Sequence, residues 1–185
     1  MNIVQKVRNF VRYESKKPSS KYGYEPYMFH FSFVASYAGQ LSDELGGDKE
    51  VILISAWLHD IGSIIHGRKD HHITGAQIAQ KKLTQFGYPK DKIALVKKCI
   101  KHHRGSIKYN RRTIEEKIVA EADVMSNFDN IAGLFKAAFV YEGLSQGAAK
   151  QSIRRKLKRK WRQLHFESSR TIIRPKYEAV MVLLK

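Results

Sequence analysis

The sequence predicts an all-α fold, a single-domain helical bundle, on the basis of three observations. Apolar residues recur at helical spacing along almost the whole chain, beginning with Ile3, Val7 and Phe10. The alternation of apolar and polar residues that is typical of strands is absent from the sequence. Finally, one core in a chain of 185 residues can bury roughly 70% of the surface of the unfolded polypeptide. We therefore expect residues 1–185 to form one domain.

Each predicted helix has a start or stop signal. Asp48 is a suitable N-cap for the apolar run 51–58, and Thr113 followed by Glu116 forms a capping box. Gly46-Gly47 ends the helix before Asp48. The helices are expected over residues 2–16, 26–45, 48–60, 71–86, 91–103, 113–126, 127–141 and 146–166, and from beyond Ser169 to Leu184.

The second predicted helix and the segment 61–69 have patterns that predict their local structure. The second helix is expected to carry one apolar stripe, formed by Phe29, Phe33, Tyr37 and Leu41. The segment 61–69 contains glycine and basic residues, so we expect it to form a loop at the mouth of a site.

The charge is strongly positive and unevenly distributed. Thirty-four Lys and Arg against seventeen Asp and Glu leave +17, and residues 145–185 alone carry twelve basic and two acidic side chains. The densest run, 154–162, would attract nucleic acid, nucleotides or acidic lipid headgroups. A solvated helix face on a basic protein explains the same run equally well.

Other features of the composition favour a cytoplasmic protein. The single cysteine, Cys99, cannot form an internal disulfide, and it lies in an apolar-periodic segment as a small core residue would. No apolar run approaches the ~20 residues needed to span a bilayer. The N-terminus has no signal-peptide pattern.

Metal-ligand residue types occur on successive predicted helices. Seven of the eight histidines fall between residues 30 and 103. The candidates are His30, His59 with Asp60, His71 with His72, His102 with His103, and Asp123. Imidazole and carboxylate ligands suit Mn, Fe, Co, Ni or Zn, and the near absence of cysteine disfavours a closed structural zinc site. For any one of these residues a backbone hydrogen bond is the commoner explanation, but it does not account for the order of the set.

The same positions carry a resemblance to a known family. His30, then His59-Asp60 in WLHDIG (57–62), then Asp123 in AEADVMSNFD (120–129), occur in the order found in the HD-domain superfamily of metal-dependent phosphohydrolases. The intervening segments HHITGAQIA (71–79) and IKHHRG (100–105) also resemble stretches of that family. The resemblance covers about residues 25–130, the HD-type metal-binding core. Residues 145–185 are expected to form basic C-terminal helices packed on that core.

The resemblance implies an all-helical fold that holds one or two divalent cations, which would be Mn, Co, Fe, Ni, Zn or Mg. The implied metal ligands are His30, His59, Asp60 and Asp123, joined in two-metal members by His71 and His103. Successive helical residues point ~100° apart, so His72 and His102 are expected to face away from the ions.

The resemblance also implies phosphate chemistry. Asp60 is the expected bridging or water-orienting carboxylate, and cationic or polar substrate contacts are expected from Arg68, Lys69, Lys101, Arg104 and His66. Many members place a Lys or Glu shortly after the His-Asp pair, whereas this chain has Gly62 and Ser63. Asp70 and His66 are therefore the candidates for proton transfer.

Three functions fit the sequence. The first is a metal-dependent phosphohydrolase acting on a nucleotide or another small phosphate ester. The second is a regulatory module that keeps the HD fold and binds nucleic acid or a signalling nucleotide without turnover. The third is a hydrolase of nucleic-acid ends, with Trp161 or Tyr109 stacking on bases and a nucleic-acid platform formed by Arg154, Arg155, Lys158, Arg159 and Arg162.

Overall fold

The structure is a computed structural model that describes residues 1–105, 107 and 109–185. None of these residues lies in a β-strand, which confirms the all-α prediction. The α-helices are α1 (Ile3–Lys16), α2 (Ser32–Leu45), α3 (Lys49–Leu58), α4 (Ile61–His66), α5 (His71–Gln85), α6 (Lys90–His102), α7 (Ile114–Ser126), α8 (Ile131–Lys136), α9 (Gln146–Trp161) and α10 (Glu167–Leu183). Two π-helical turns occur at Tyr27–Phe31 and Ala137–Tyr141. The chain divides into two compact units, 1–123 and 124–185.

Helix α3 is the central element of unit 1. It packs against α1, α2 and α6, while α5 packs against α4 and α6. Helix α3 is apolar around most of its circumference, which allows it to be covered on several sides. All but one of residues 51–58 are buried. The largest fully buried side chains of unit 1 are Phe31, Leu41, Ile52, Ile54, Leu58, Ile61, Ile64, Leu83, Ile100 and Ile118. Cys99 is also fully buried, and burial raises the pKa of its thiol to about 12.

The capping signals form as predicted. The Asp48 carboxylate accepts a hydrogen bond of 3.1 Å from the Val51 N–H. In the capping box, the Glu116 N–H donates to Thr113 Oγ1 at 3.3 Å, and the Thr113 N–H donates to Glu116 Oε2 at 3.0 Å. Local side-chain hydrogen bonds therefore fix where α3 and α7 begin.

The start of the second predicted helix differs from the expectation. The π-helical turn, in which the Ser32 N–H donates to the Tyr27 carbonyl, adds one residue to the turn and shifts the helical register. As a result Phe31 is buried and Phe29 is 46% exposed, so the predicted stripe was wrong at Phe29. The same turn carries His30.

The predicted loop over residues 61–69 was also wrong for its first part. Residues Ile61–His66 form α4, because Ile61 and Ile64 are apolar and find buried positions in the core. Helix α4 lies unusually close to α5 at Gly62. A Cβ atom on Gly62 would lie 2.2 Å from the His71 carbonyl oxygen and 2.7 Å from the Gly75 nitrogen. The glycine is therefore required by packing.

Unit 2 contains α8, the second π-helical turn, α9 and α10. Ala149, Ile153 and Leu157 form the buried stripe of α9, and the basic residues occupy its other faces. The helix ends at Trp161, five residues before the predicted end at Phe166. In the part of the chain that the structure describes, no helix combines the length and apolar character needed to cross a membrane.

Candidate metal centre

Asp60 is the residue around which the candidate centre is arranged. It lies between His59, the C-cap residue of α3, and Ile61, the first residue of α4. Its backbone carbonyl accepts a hydrogen bond of 2.9 Å from the Ser63 N–H, which begins α4. Helix α4 in turn packs on α5, the helix that begins with His71.

One carboxylate oxygen of Asp60 faces the first group of ligand atoms. The Nε2 atoms of His30 and His59 lie 3.0 Å apart, and they lie 3.7 and 3.9 Å from Asp60 Oδ2. Asp123 approaches the same place, with its Oδ1 atom 3.6 Å from His30 Nε2. His30, His59 and Asp60 offer ligand atoms within 4.8 Å of one another, a set that could hold a cation.

The other carboxylate oxygen of Asp60 faces a second group. His71 Nε2 lies 3.2 Å from Asp60 Oδ1, and His103 Nε2 lies 3.5 Å from it. Asp60, His71 and His103 also offer ligand atoms within 4.8 Å of one another. One carboxylate is thus shared by two groups of imidazoles, one on each of its oxygens.

Three of the imidazoles are held by backbone hydrogen bonds of the same kind. In each, Nδ1 lies against the carbonyl oxygen three residues earlier, which leaves Nε2 directed at Asp60. The pairs are His59 with Ala56 at 2.8 Å, His71 with Arg68 at 2.8 Å, and His103 with Ile100 at 2.6 Å. When Nδ1–H donates to the carbonyl, Nε2 keeps the lone pair that a metal ligand requires.

The electrostatics of the cluster favour an ionised Asp60. Burial alone would raise the pKa of this carboxyl, but the neighbouring imidazoles of His59, His103 and His30 bring it well below its usual value. Burial lowers the pKa of His59 to about 4, only partly opposed by Asp60. The pKa of His103 shifts the other way: burial alone would lower it, but the interactions with Asp60 and Asp123 together outweigh burial and raise it.

The residues present fit a divalent cation. Asp60 Oδ1 is buried and has no hydrogen-bond partner among the described residues, which is costly for an ionised oxygen unless a cation faces it. The donor set consists of imidazole nitrogens and carboxylate oxygens, with ring orientations already fixed by backbone carbonyls. The structure therefore contains His/Asp groups that could bind metal, as expected from the sequence.

The other sequence-predicted site residues are not part of the two ligand groups. Asp70 is exposed and precedes α5, and it adopts the left-handed conformation (φ 52°), unlike any other non-glycine residue that the structure describes. Arg104 is half-buried. The remaining predicted substrate-binding residues are exposed: His66, Arg68, Lys69 and Lys101. Within the part of the chain that the structure describes, none of these side chains is seen in contact with Asp60.

His72 and His102 lie outside the two ligand groups. His72 is not turned toward solvent: only 4% of it is exposed, and burial lowers its pKa. The His102 ring stacks on Tyr109 with centroids 4.6 Å apart, and its Nδ1 forms a short contact with Glu116. The sequence signal indicated that Glu116 caps α7. In the structure Glu116 also contacts His102.

Arg111 was not identified from the sequence. Its Nε donates to the His102 carbonyl at 2.8 Å, and Nη2 donates to the His103 carbonyl at 3.4 Å. These bonds satisfy carbonyls at the C-terminal end of α6, where a cation also interacts favourably with the helix dipole. Arg111 therefore holds the segment that carries His103, and no motif in the sequence indicates this role.

The predicted nucleic-acid residues all belong to unit 2. Arg155, Arg159 and Arg162 are exposed, whereas Arg154 and Lys158 are half-buried. The Trp161 ring stacks on Tyr177 with centroids 4.6 Å apart. One face of the predicted stacking platform is therefore already covered.

Several known proteins resemble this chain. It is 32% identical over 127 residues to a tRNA (cytidine(56)-2'-O)-methyltransferase of Picrophilus torridus, an alignment that covers 61% of this chain and 35% of that protein. The chain thus spans about a third of the length of that relative.

Solved structures show the same fold. The Lin1889 protein of Listeria innocua superposes with a TM-score of 0.75 at 20% identity, covering 100% of this chain and 94% of the other. Bacillus subtilis YpgQ in complex with ADP gives 0.71 at 19% identity, with 98% and 93% covered. A predicted HD superfamily hydrolase of an uncultured Thermotogales bacterium gives 0.65 at 22%, with 97% and 88% covered.

The family model matches more than half of the chain. The HD domain model covers residues 27–127, which include both ligand groups and the segments that hold them. The His30, His59-Asp60 and Asp123 pattern lies within this match. The chain therefore belongs to the HD domain family.

Proposed function

We propose that the protein is a divalent-metal-dependent phosphohydrolase that acts on a nucleotide or another small phosphate ester. The observation that supports this proposal is the division of Asp60 between two imidazole groups, with Oδ2 facing His30 and His59 and Oδ1 facing His71 and His103. Divalent cations held by these residues would supply the charge neutralisation that the displacement of an ester oxygen from phosphorus requires.

Each protein group has a defined task in this proposal. His30, His59, Asp60 and Asp123 would hold one ion, and Asp60, His71 and His103 the other. A bound divalent cation lowers the pKa of coordinated water and neutralises phosphoryl oxygens. Burial keeps His59 uncharged at neutral pH, so that its Nε2 is available as a ligand.

Proton transfer to the leaving oxygen requires an exposed group. Gly62 has no side chain and Ser63 is buried, so neither offers an exposed group for the leaving oxygen. Asp70 is an exposed carboxylate directly before His71, and its left-handed backbone is a local strain of the kind found at functional sites. We therefore assign proton transfer to Asp70.

The substrate class is supported by charge and by one related structure. A net charge of +17 favours anionic substrates. The YpgQ structure, which shares the fold, contains ADP. We expect nucleotides to be preferred over uncharged esters.

The experiment is a hydrolysis screen with Mn²⁺, Co²⁺ or Mg²⁺ over nucleoside mono-, di- and triphosphates and simple phosphodiesters. Wild-type protein should release product only with added metal. Asp60→Asn should lose at least ~100-fold in rate, because it removes the charge shared by both groups. The matched control is Asp91→Asn, which alters an exposed carboxylate in the first turn of α6. Turnover that persists in Asp60→Asn would contradict the proposal.

A second function, binding of nucleic acid without turnover, is favoured by a different observation. The relative at 32% identity is named as a tRNA methyltransferase, and the chain carries a large excess of basic residues. A binding module would show no hydrolysis across the screen and an affinity that falls steeply with salt. Hydrolysis of small nucleotides would argue against it as the main role.

A further inference from the structure

A groove on the surface of unit 1 lies between α1 and the segment that leads into the first π-helical turn. We call it the α1 groove; it is an open cavity of about 390 Å³ lined by Gln5, Arg8, Asn9, Arg12, Tyr24 and Tyr27. The four residues from α1 occur at i, i+3, i+4 and i+7, and therefore share one face of the helix. None of these six lining residues is part of the candidate metal centre.

The two arginines of the α1 groove form no ion pair with the residues that the structure describes. Arg8 Nε donates to Tyr27 Oη at 3.1 Å, and its guanidinium carbon lies 5.5 Å from the centre of the Trp57 ring. Arg12 is exposed and forms no ion pair within the part of the chain that the structure describes. The described lining includes no carboxylate. The α1 groove therefore attracts an anion.

The lining of the α1 groove also includes aromatic residues. Tyr24 stacks on Tyr27 with centroids 5.2 Å apart, and Tyr27 stacks on Trp57 at 5.5 Å. Trp57 and Tyr27 are buried, whereas Tyr24 is half-buried, so the stack leads from the core toward the surface. The ammonium of Lys16, a third cation, lies over the Tyr24 ring at 5.0 Å from its centre, and a base packed on Tyr24 would displace it toward the phosphates.

We propose that the α1 groove binds single-stranded nucleic acid, with a base packed against Tyr24 and neighbouring phosphates paired with Arg8 and Arg12. Guanidinium groups match phosphate oxygens bidentately, and bases extend aromatic stacks regardless of their identity. The amides of Gln5 and Asn9 can exchange hydrogen bonds with base edges. An acidic peptide would use the arginines but would leave the tyrosine and the amides without a role.

This binding site goes beyond the proposed hydrolysis and does not depend on it, because it requires no cation. Arg8 and Arg12 lie about 6 Å apart along α1, one helical turn, so that each can take a different phosphate. Tyr27 shares its π-helical turn with His30, and Trp57 lies two residues before His59. The strand would thus be held by elements that also carry the metal ligands.

The test measures fluorescence anisotropy of a labelled oligouridylate of about 12 nucleotides. EDTA is present throughout, so that the result is separate from any hydrolysis. The variants are Arg12→Gln and Tyr24→Ser, and we expect each to weaken binding roughly tenfold. Arg12→Gln should also reduce the slope of log K against log[salt] by about 0.7.

The matched controls remove the same chemistry elsewhere. Arg155→Gln removes one exposed arginine from α9, and Tyr13→Ser removes a tyrosine of α1 that is 65% exposed and lies outside the lining. Both should stay within about twofold of wild type. Circular dichroism checks the fold of every variant, and Arg12 is exposed enough that Arg12→Gln remains informative if Tyr24→Ser fails to fold.

Three results would overturn the proposal. The first is a wild-type protein that shows no saturable binding at low salt. The second is a loss in Arg155→Gln that equals or exceeds the loss in Arg12→Gln, which would place the strand on α9. The third is competition by uridine monophosphate as effective as that by the oligonucleotide, which would make the α1 groove a site for free nucleotides.

Discussion

At the scale of single residues, the centre depends on which atoms of each side chain are already engaged. The backbone carbonyls of Ala56 and Ile100 orient the rings of His59 and His103, so neither imidazole needs to reorganise before it binds a cation. This orientation reduces the entropy lost on metal binding. The common explanation of a buried histidine, a backbone hydrogen bond, therefore applies here together with an Nε2 atom that is directed at Asp60.

Metal binding to the two groups should respond differently to pH. The pKa of His103 is raised, so this ring keeps its proton to a higher pH than an ordinary histidine and the cation must displace it. The pKa of His59 is lowered to about 4, so no proton competes there near neutral pH. Lower pH should therefore weaken the second group first.

The measurement is calorimetric titration with Mn²⁺ at about pH 8 and about pH 6. Two ions should bind at the higher pH and one at the lower. His71→Gln, which removes a ligand of the second group, should bind one ion at both. Equal loss of both ions on acidification would contradict the assignment of the pKa shifts.

Asp70 should be needed for turnover and not for folding. Asn tolerates the left-handed backbone at this position and Gly prefers it, so Asp70→Asn and Asp70→Gly both keep the chain path without the carboxylate. Each should lower kcat by roughly 10²-fold or more, as expected for loss of a general acid. The metal content of both variants should equal that of wild type, and a kcat close to wild type in Asp70→Asn would remove Asp70 from the mechanism.

At the scale of elements, the contact between α4 and α5 sets the geometry of the centre. Gly62 and Gly75 face each other, with a Cβ on Gly75 lying 3.4 Å from the Gly62 nitrogen. This approach fixes the start of α5, and thereby His71, relative to Asp60. The glycine that follows the His-Asp pair is therefore explained by helix packing and needs no catalytic role.

Gly62→Ala should destabilise the protein, and Gly39→Ala should not. The new Cβ at residue 62 would overlap backbone atoms, at an expected cost of ~1–3 kcal/mol or more in the free energy of unfolding. At Gly39, also inside a helix, a Cβ would meet only Leu53 Cδ2 at 3.7 Å, so alanine should stabilise by ~0.5–1 kcal/mol. Urea unfolding measures the free energy of unfolding of both variants. Equal changes in this free energy would show that α4 and α5 do not approach closely at Gly62.

How far the sequence could predict these elements depends on whether the signal is local. Helices α3 and α7 could be placed because Asp48 and Thr113 act on the backbone three residues away. The π-helical turn and α4 could not, since a shifted register and a short apolar helix are stabilised by burial against distant residues. The resemblance indicated which residues converge, but the division of Asp60 between two groups depends on side-chain direction, and Arg111 matches no pattern.

At the scale of the whole molecule, one property dominates: a large positive net charge, to which basic residues of both units contribute. Unit 1 contains Asp60 and Asp123 of the centre and the two arginines of the α1 groove, while unit 2 carries the exposed arginines of α9. Such a field raises the association rate of any phosphate-bearing ligand and weakens with added salt. The prediction of a single domain over residues 1–185, with its basic helices packed on the core, stays a prediction.

The number of Mn²⁺ ions that the protein retains shows directly whether Asp60 joins two cation-binding groups. Protein loaded at about pH 8 and freed of excess metal by gel filtration is assayed by elemental analysis. We expect two ions per chain in wild type and in Asp91→Asn, and fewer than one in folded Asp60→Asn. A wild-type protein that retains no metal, or an Asp60→Asn variant that retains two ions, would contradict the account.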